Sequence, residues 1–259
     1  RLTGTPSTAC ADAPQPSVVA VQPTDCPGLT PKLVVKEGAS VLAGDALFHD
    51  KTFPSVMFAS PVSGTVKEVV RGAKRRILAV VVEADGANQS RDFGPWKGGD
   101  REALLAHLSA TGAFAFFRQR PFDVLANPAD TPRAIYVSGF DSSPLAADST
   151  VVVDGRLEDL QRGIDALAVL AGEGGVHVGI RPDQKELSAL SGCTKTSFSG
   201  PHPAGNVGIQ IHHIDPINAG ERVWVINPED VAILGRFFQT GKFEAQRTIA
   251  LSGSGVAKP

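Results

Sequence analysis

No stretch of this 259-residue chain approaches the roughly 20 consecutive apolar residues that cross a bilayer; the densest run covers only residues 77–82. A membrane-spanning helix is not expected. The start of the chain lacks the pairing of a basic segment with an apolar core that marks a secretory signal, so a cytoplasmic face is the expected location. Basic blocks are equally scarce. The net charge is −2 and the longest cationic run is Lys74-Arg75-Arg76, which leaves no electrostatic footprint for DNA or RNA.

Cysteine is sparse. Cys10, Cys26 and Cys193 are an odd number at wide spacing, with no C-x-x-C pair and no histidine at zinc-ligand spacing. Iron–sulfur clusters and structural zinc are therefore disfavoured, and free thiols packed as small hydrophobes are expected. A catalytic thiolate at Cys193 has no supporting signature. No G-x-G-x-x-G follows a strand and opens a helix, so autonomous dinucleotide binding is poorly supported. Gly172, Gly174 and Gly175 follow a helical pattern and suit its C-terminus. The spacing assigns no Ser/His/Asp triad and no paired carboxylates. His212 and His213 are read on a strand, where neighbours point to opposite faces, which disfavours a shared metal.

Two domains are the working expectation for this length. Residues 1–32 hold six prolines, Pro6, Pro14, Pro16, Pro23, Pro27 and Pro31, and read as an extended lead-in with one strand at 18–21. From residue 33 to 83 short apolar runs alternate with turn residues, at 33–35, 41–42, 46–48, 56–59, 64–70 and 77–83. That pattern predicts an all-β module. Residues 88–99, with Phe93, Gly94, Pro95, Trp96, Gly98 and Gly99 among polar side chains, read as a linker. The division is expected at 1–98 and 99–259.

The second half alternates helix and strand. Asp100 can cap a helix to about Ser109, with Gly112 just past its end. Strands are predicted at 134–138, 151–153, 176–180, 223–226 and 248–251. Leu157, Leu160, Ile164, Leu167 and Ala171 recur at helical spacing. Asn227 suits an N-cap with Pro228 in the first helical position, Glu229 and Asp230 at the positive end of the dipole, and Gly241 as the stop. Strands alternating with helices favour a parallel or mixed sheet covered on both faces. The expected fold is α+β or α/β overall: a biotinyl/lipoyl-like β barrel-sandwich module followed by a Rossmann-like α/β domain.

Residues 35–47 and 60–66 resemble the two halves of biotinyl/lipoyl domains, whose glycines let short strands fold back sharply. Carrier domains place the modified lysine on a tight hairpin tip between the halves. Here the interval offers only Lys51, ten residues before Pro61, and Pro54 disturbs the turn. A structural or docking module is expected, with Lys51 a solvated side chain.

Two segments carry more chemistry than structure alone requires. Residues 114–123 place Arg118 and Arg120 among Phe114, Phe116, Phe117 and Phe122, and arginine beside aromatic rings can stack on a planar ligand while donating to its carbonyl oxygens. The competing reading makes the rings core and pairs the arginines with Asp123 or other acids. Residues 198–208 form a Gly/Pro-rich loop holding His202, which could donate to, or exchange a proton with, a quinone or carbonyl. A rigid loop without ligand competes equally.

Residues 28–32, 35–38, 118–123, 140–148 and 198–208 together resemble the family formed by the A subunit of the bacterial Na⁺-translocating NADH:quinone oxidoreductase, over nearly the whole chain. The family is related to the C subunit of the Rnf complex and to the flavoprotein subunit of complex I, whose flavin loop and cluster cysteines are not matched. The resemblance implies a peripheral component on the cytoplasmic side of the bacterial inner membrane, held against the membrane-embedded B subunit. It implies that the chain binds no redox cofactor of its own while the complex uses flavins, an iron–sulfur cluster and quinone to drive sodium transport. It also implies that the isolated chain is not catalytic. Family members continue into a β-grasp-like domain and a helical region, so the chain reads as an N-terminal fragment. Phe116, Arg118, Arg120, Phe122 and His202 are the candidate quinone-binding residues. The alternative is a purely structural docking module with no small-molecule site.

Overall fold

The computed structural model describes residues 8–253, with the side chains of Lys185 and Glu186 excepted; Pro6 of the lead-in lies outside the described residues. The chain clusters into two compact units, one built from residues 14–131 and 236–245, the other from residues 132–235 with the flanking terminal segments.

The first unit starts as the sequence predicts. Strands β1 (Val18–Val21), β2 (Pro31–Leu33), β3 (Ser40–Val41), β4 (Ala46–Asp50), β5 (Met57–Ala59), β6 (Gly64–Arg71) and β7 (Ile77–Ala84) form two antiparallel sheets, ordered β1-β7-β6-β3 and β2-β4-β5. Alternation along β6 buries Val66 and Val69, and β7 buries Val80 and Val82. Leu47, Phe48, Val56 and Phe58 fill the β2-β4-β5 side, where the Phe48 and Phe58 rings stack at 4.9 Å. Burying each such side chain contributes about 1.5–3 kcal/mol.

Residues 88–99, predicted as a linker, are instead tied down. Arg91 N–H donates to the Ala43 carbonyl, Phe93 N–H to Gly241 and Trp96 N–H to Phe238, each at 2.8 Å. Trp96 and Phe237 flank the His107 ring at 4.9 and 5.3 Å. Ring contacts and backbone hydrogen bonds fix a stretch whose Gly/Pro content alone suggested freedom. Helix α1 (Arg101–Thr111) begins at Asp100, whose carboxylate accepts Ala103 N–H at 2.9 Å, and ends at Gly112 in the left-handed region. The short strands β8 (Arg118–Arg120) and β9 (Val124–Leu125) then form a hairpin.

In the second unit, parallel strands β10 (Ile135–Ser138), β11 (Val176–Ile180), β12 (Thr194–Ser197) and β13 (Val223–Ile226) run in the order β12-β11-β10-β13. This is the order of one half of a doubly wound sheet followed by the first strand of the other, which puts the switch point between β10 and β13. Helices α2 (Ser149–Val152), α3 (Leu157–Leu170), α4 (Lys185–Ser188) and α5 (Val207–Ile214) fill the crossovers, and α6 (Pro228–Thr240) follows β13. The apolar positions of α3 recur so that Leu160, Ile164, Leu167 and Leu170 bury one face. It packs backbone-close on α6: a Cβ on Gly163 would sit 2.2 Å from the Val231 carbonyl oxygen, and one on Gly235 only 1.8 Å from that of Asp159. Glycine at both places permits the contact.

Three predicted strands differ. Residues 151–153 fall in and just after α2, because Asp148 accepts Thr150 N–H at 2.9 Å and nucleates a helical turn ahead of the valines. His212 and His213 lie on α5, where Ile211 packs with Tyr136 and Val223. Residues 248–251 form no strand; their side chains are exposed, so no buried face favours a ladder there.

Candidate functional site

The candidate residues divide between the units: Phe116 to Phe122 belong to the first and His202 to the second.

In the first unit, Phe114 and Phe117 are fully buried and their rings stack at 5.5 Å, so two of the four aromatics are core. Phe116 is half-buried. Arg118 is anchored on one side: its Nη2 donates to the Asp25 carbonyl at 2.7 Å and its guanidinium lies against Cys26, while its buried Nη1 has no hydrogen-bond partner among the described residues. Burial nevertheless pushes the Cys26 thiol up, and burial does the same to Cys193, which disfavours the thiolate form of both. Arg120 is only loosely held. Its Nη2 reaches Asp123 Oδ1 at 3.5 Å, and its buried Nε has no hydrogen-bond partner among the described residues. Between them the turn Pro121-Phe122-Asp123 carries a cis Arg120–Pro121 bond and Asp123 at positive φ, and it presents Phe122 82% exposed.

In the second unit the loops leaving the carboxyl ends of the parallel strands converge, where an open α/β sheet keeps its ligand crevice. The loop after β12 reaches the loop after β10. Ser138 Oγ donates to the Phe140 and Gly205 carbonyls at 3.0 and 3.1 Å, and Gly205 N–H donates to Ser142 Oγ at 2.7 Å. A Cβ on Gly205 would meet Ser142 N at 2.3 Å, so only glycine allows this approach. His202 stands on the same loop, exposed, its Nδ1 3.3 Å from Ser142 Oγ. That oxygen accepts the Gly205 N–H, and its own O–H can donate a hydrogen bond to Nδ1, which places the ring proton of the neutral imidazole on Nε2.

Sequence reasoning passed over Gln184. Buried beneath these loops, its Nε2 donates to the Gly139 carbonyl at 2.8 Å and to Ser149 Oγ at 2.9 Å, while its Oε1 accepts Arg181 N–H at 2.8 Å. Arg181 pairs with Asp148 at 2.9 Å and Asp183 at 2.8 Å. Burial opposes ionisation of Asp148, yet the Thr150 N–H and the Arg181 guanidinium bring its carboxyl below the usual range. Nothing in a single glutamine between Asp183 and Lys185 signals this role; only the register of β10 and β11 reveals it. At the opposite end of the strands, Arg133 joins Asp215 and Glu221 at 3.0 and 3.1 Å beside the stacked Tyr136 and His177 rings. No group of three His, Cys, Asp or Glu among the described residues can hold a metal ion.

The architecture defines a class: a barrel-sandwich β-module followed by an α/β domain with a parallel sheet. Family models agree with both parts, residues 1–85 matching the NqrA N-terminal barrel-sandwich hybrid domain and residues 99–243 the NqrA second alpha/beta domain. The chain belongs to the NqrA family, the A subunit of the Na⁺-translocating NADH-quinone reductase. It is 36% identical to the NqrA of Serratia proteamaculans, over all of this chain and 59% of the relative. It is 36% identical to the one from Rhodopirellula baltica over all of this chain and 58% of the relative. The NqrA of Neisseria meningitidis serogroup B is 37% identical, again over the whole chain and 59% of its own length. The chain thus spans a little under six tenths of the relatives it matches. No described helix is long and apolar enough to cross a membrane.

Proposed function

We propose that this chain acts as a peripheral, cofactor-free part of a sodium-translocating NADH:quinone reductase, contributing to quinone binding and to assembly on the cytoplasmic side against the membrane-embedded B subunit. The carrying observation is the hairpin between β8 and β9. It holds an aromatic ring, Phe122, in water beside Arg120, whose buried Nε lacks a partner among the described residues. An aromatic ring can stack on a quinone ring, and an arginine N–H can donate to its carbonyl oxygen. Half-buried Phe116 in the same unit, and exposed His202 in the other, are further candidate quinone contacts, each within its own unit. The proposed domain boundary, between residues 98 and 99, falls beside the stretch that separates the two matched ranges. As to the cofactor-free reading, Lys51 is exposed, but its N–H is bonded to the Thr30 carbonyl at 2.8 Å, and Asp50 accepts Thr52 N–H at 3.0 Å. The connection from β4 to β5 runs over residues 51–56, longer than the tight hairpin tip of carrier domains. Electrons would then reach the quinone from flavins held elsewhere in the complex.

Photo-crosslinking of the assembled complex with a quinone analogue tests the reading. Label is expected on peptides spanning residues 116–122 or His202, and loss of both labels on adding unmodified quinone. Label that avoids both segments refutes it. The anchoring of Arg118 and the burial of Phe114 and Phe117 favour a second reading, a docking module that binds nothing small. That reading requires Arg120→Ala and His202→Ala to leave quinone turnover unchanged while deletion of residues 18–84 prevents assembly.

A further inference from the structure

The switch point between β10 and β13 has two lips. One is the loop after β10, which includes Leu145; the other is the start of α6, with Glu229 and Asp230. A single stretch of chain holds both. Arg247 Nη1 lies 3.3 Å from Glu229 Oε2 and pairs with Asp230 Oδ1, and Thr248 N–H donates to Glu229 Oε1 at 2.6 Å. Farther on, Ser252 Oγ donates to the Leu145 carbonyl at 3.0 Å. Every one of these anchors is polar. Ile249 and Leu251 are 83% and 82% exposed, so no apolar burial fixes the stretch in place.

We propose that residues 246–252 form a charge-latched strap across the switch-point crevice, closed by Arg247 on Glu229 and Asp230 and released when those carboxylates are neutralised or screened.

The latch is sensitive because one of its carboxylates is costly to ionise. Asp230 is only 6% exposed at the first turn of α6. Burial pushes its carboxyl up to about 6, with Arg247 pulling the other way and Glu229 adding repulsion; Asn227, which donates to Asp230 Oδ2, is neutral. Guanidinium groups are not deprotonated in proteins, so the carboxylates are the partners that can lose charge. Proton uptake near pH 6 therefore removes one of the two charges holding it. Because the latch is exposed on one side, salt weakens it too: the screening length is about 10 Å at 0.1 M and about 3 Å at 1 M. A strap with polar anchors and no core opens locally, without global unfolding.

Amide hydrogen exchange by mass spectrometry on the whole chain reads this directly, with rates corrected for intrinsic pH dependence and the β10 and β13 peptides as internal references. Exchange in the peptide covering residues 246–252 is expected to be slow at pH 8 in low salt. It should rise about tenfold at pH 5 or in 1 M NaCl, the size expected when a charge-assisted hydrogen bond is lost. Arg247→Ala should give the fast rate at every pH, Arg247→Lys an intermediate one, and Asp230→Asn should abolish the step near pH 6. Equal exchange in Arg247→Ala and the parent, or a rate independent of both pH and salt, overturns the proposal. Arg247 is partly exposed and lies outside the helices, so its variants separate latch loss from misfolding if Asp230→Asn disturbs α6.

Discussion

Asp230→Asn should change the pH dependence of stability in a calculable way. The folded protein holds the Asp230 carboxyl at about 6 against an ordinary value of 3.8. Between those limits the native state keeps a proton that the unfolded chain has lost, so stability falls as pH rises through this window. The contribution is fully present below about pH 4 and fully lost above about pH 6. One pKa unit corresponds to about 1.4 kcal/mol, so the interval of roughly two units corresponds to about 3 kcal/mol. The group is nearly fully buried, so little of this is lost to solvent screening. Asparagine has the same shape and no charge to desolvate. Relative to the parent, Asp230→Asn should therefore gain about 3 kcal/mol between about pH 4 and about pH 7, whatever constant offset it carries from altered hydrogen bonding to Asn227.

Urea unfolding at a series of pH values measures this. Trp224 is buried in the second unit, so in a Trp96→Phe background its fluorescence follows that unit alone. Other carboxylates titrate in both proteins and cancel in the difference. A parent-minus-variant stability that is flat across that range would refute the reasoning, since burial would then not be forcing the proton onto Asp230. A difference of the opposite slope would mean that Arg247 outweighs desolvation.

Three further outcomes follow from packing and burial. Gly235→Ala places a methyl group 1.8 Å from the Asp159 carbonyl oxygen, which α3 and α6 can relieve only by separating; a loss of about 1–3 kcal/mol is expected by urea unfolding, and a neutral result would contradict the close contact. Burial holds the His177 imidazole below its ordinary 6.5, its ring stacked on Tyr136, so its NMR titration midpoint should lie below 6.5; a midpoint at or above that value would contradict its burial. Asp100→Ala removes the acceptor for Ala103 N–H and should cost about 1 kcal/mol, with faster amide exchange in the first turn of α1.

The fold was legible where local chemistry and packing agree. In the β-module, turn residues bound each run and alternation sets the buried face, so β6 and β7 end within one residue of the predicted limits. At 151–153 they disagree: three β-branched residues favour a strand, but Asp148 caps a helical turn just before them. Around His212, isoleucines at 209, 211 and 214 read as a strand until the packing of Ile211 on Tyr136 and Val223 selects a helix. The candidate site was legible only as segments. Which arginine is anchored depends on Asp25, 93 residues before Arg118, and no short-range pattern carries that information.

The same contrast explains where chemistry can reside in the second unit. The three inner parallel strands, β10, β11 and β13, are buried almost throughout, and Ile135, Val178, Val223 and Trp224 leave little polar surface between them. Polar groups are pushed to the strand ends. At the amino end Arg133 pairs with Asp215 and Glu221. At the carboxyl end Gln184, Ser138 and Ser142 hydrogen-bond to backbone atoms of neighbouring loops, which fixes those loops and leaves His202 exposed. A loop held by its backbone can present a side chain without burying it. For this reason Ser142→Ala, which leaves the sheet untouched, should shift the His202 ring resonances in an NMR spectrum while barely moving the urea midpoint of the unit; unchanged resonances would mean that the Ser142 hydroxyl does not set the tautomer of His202.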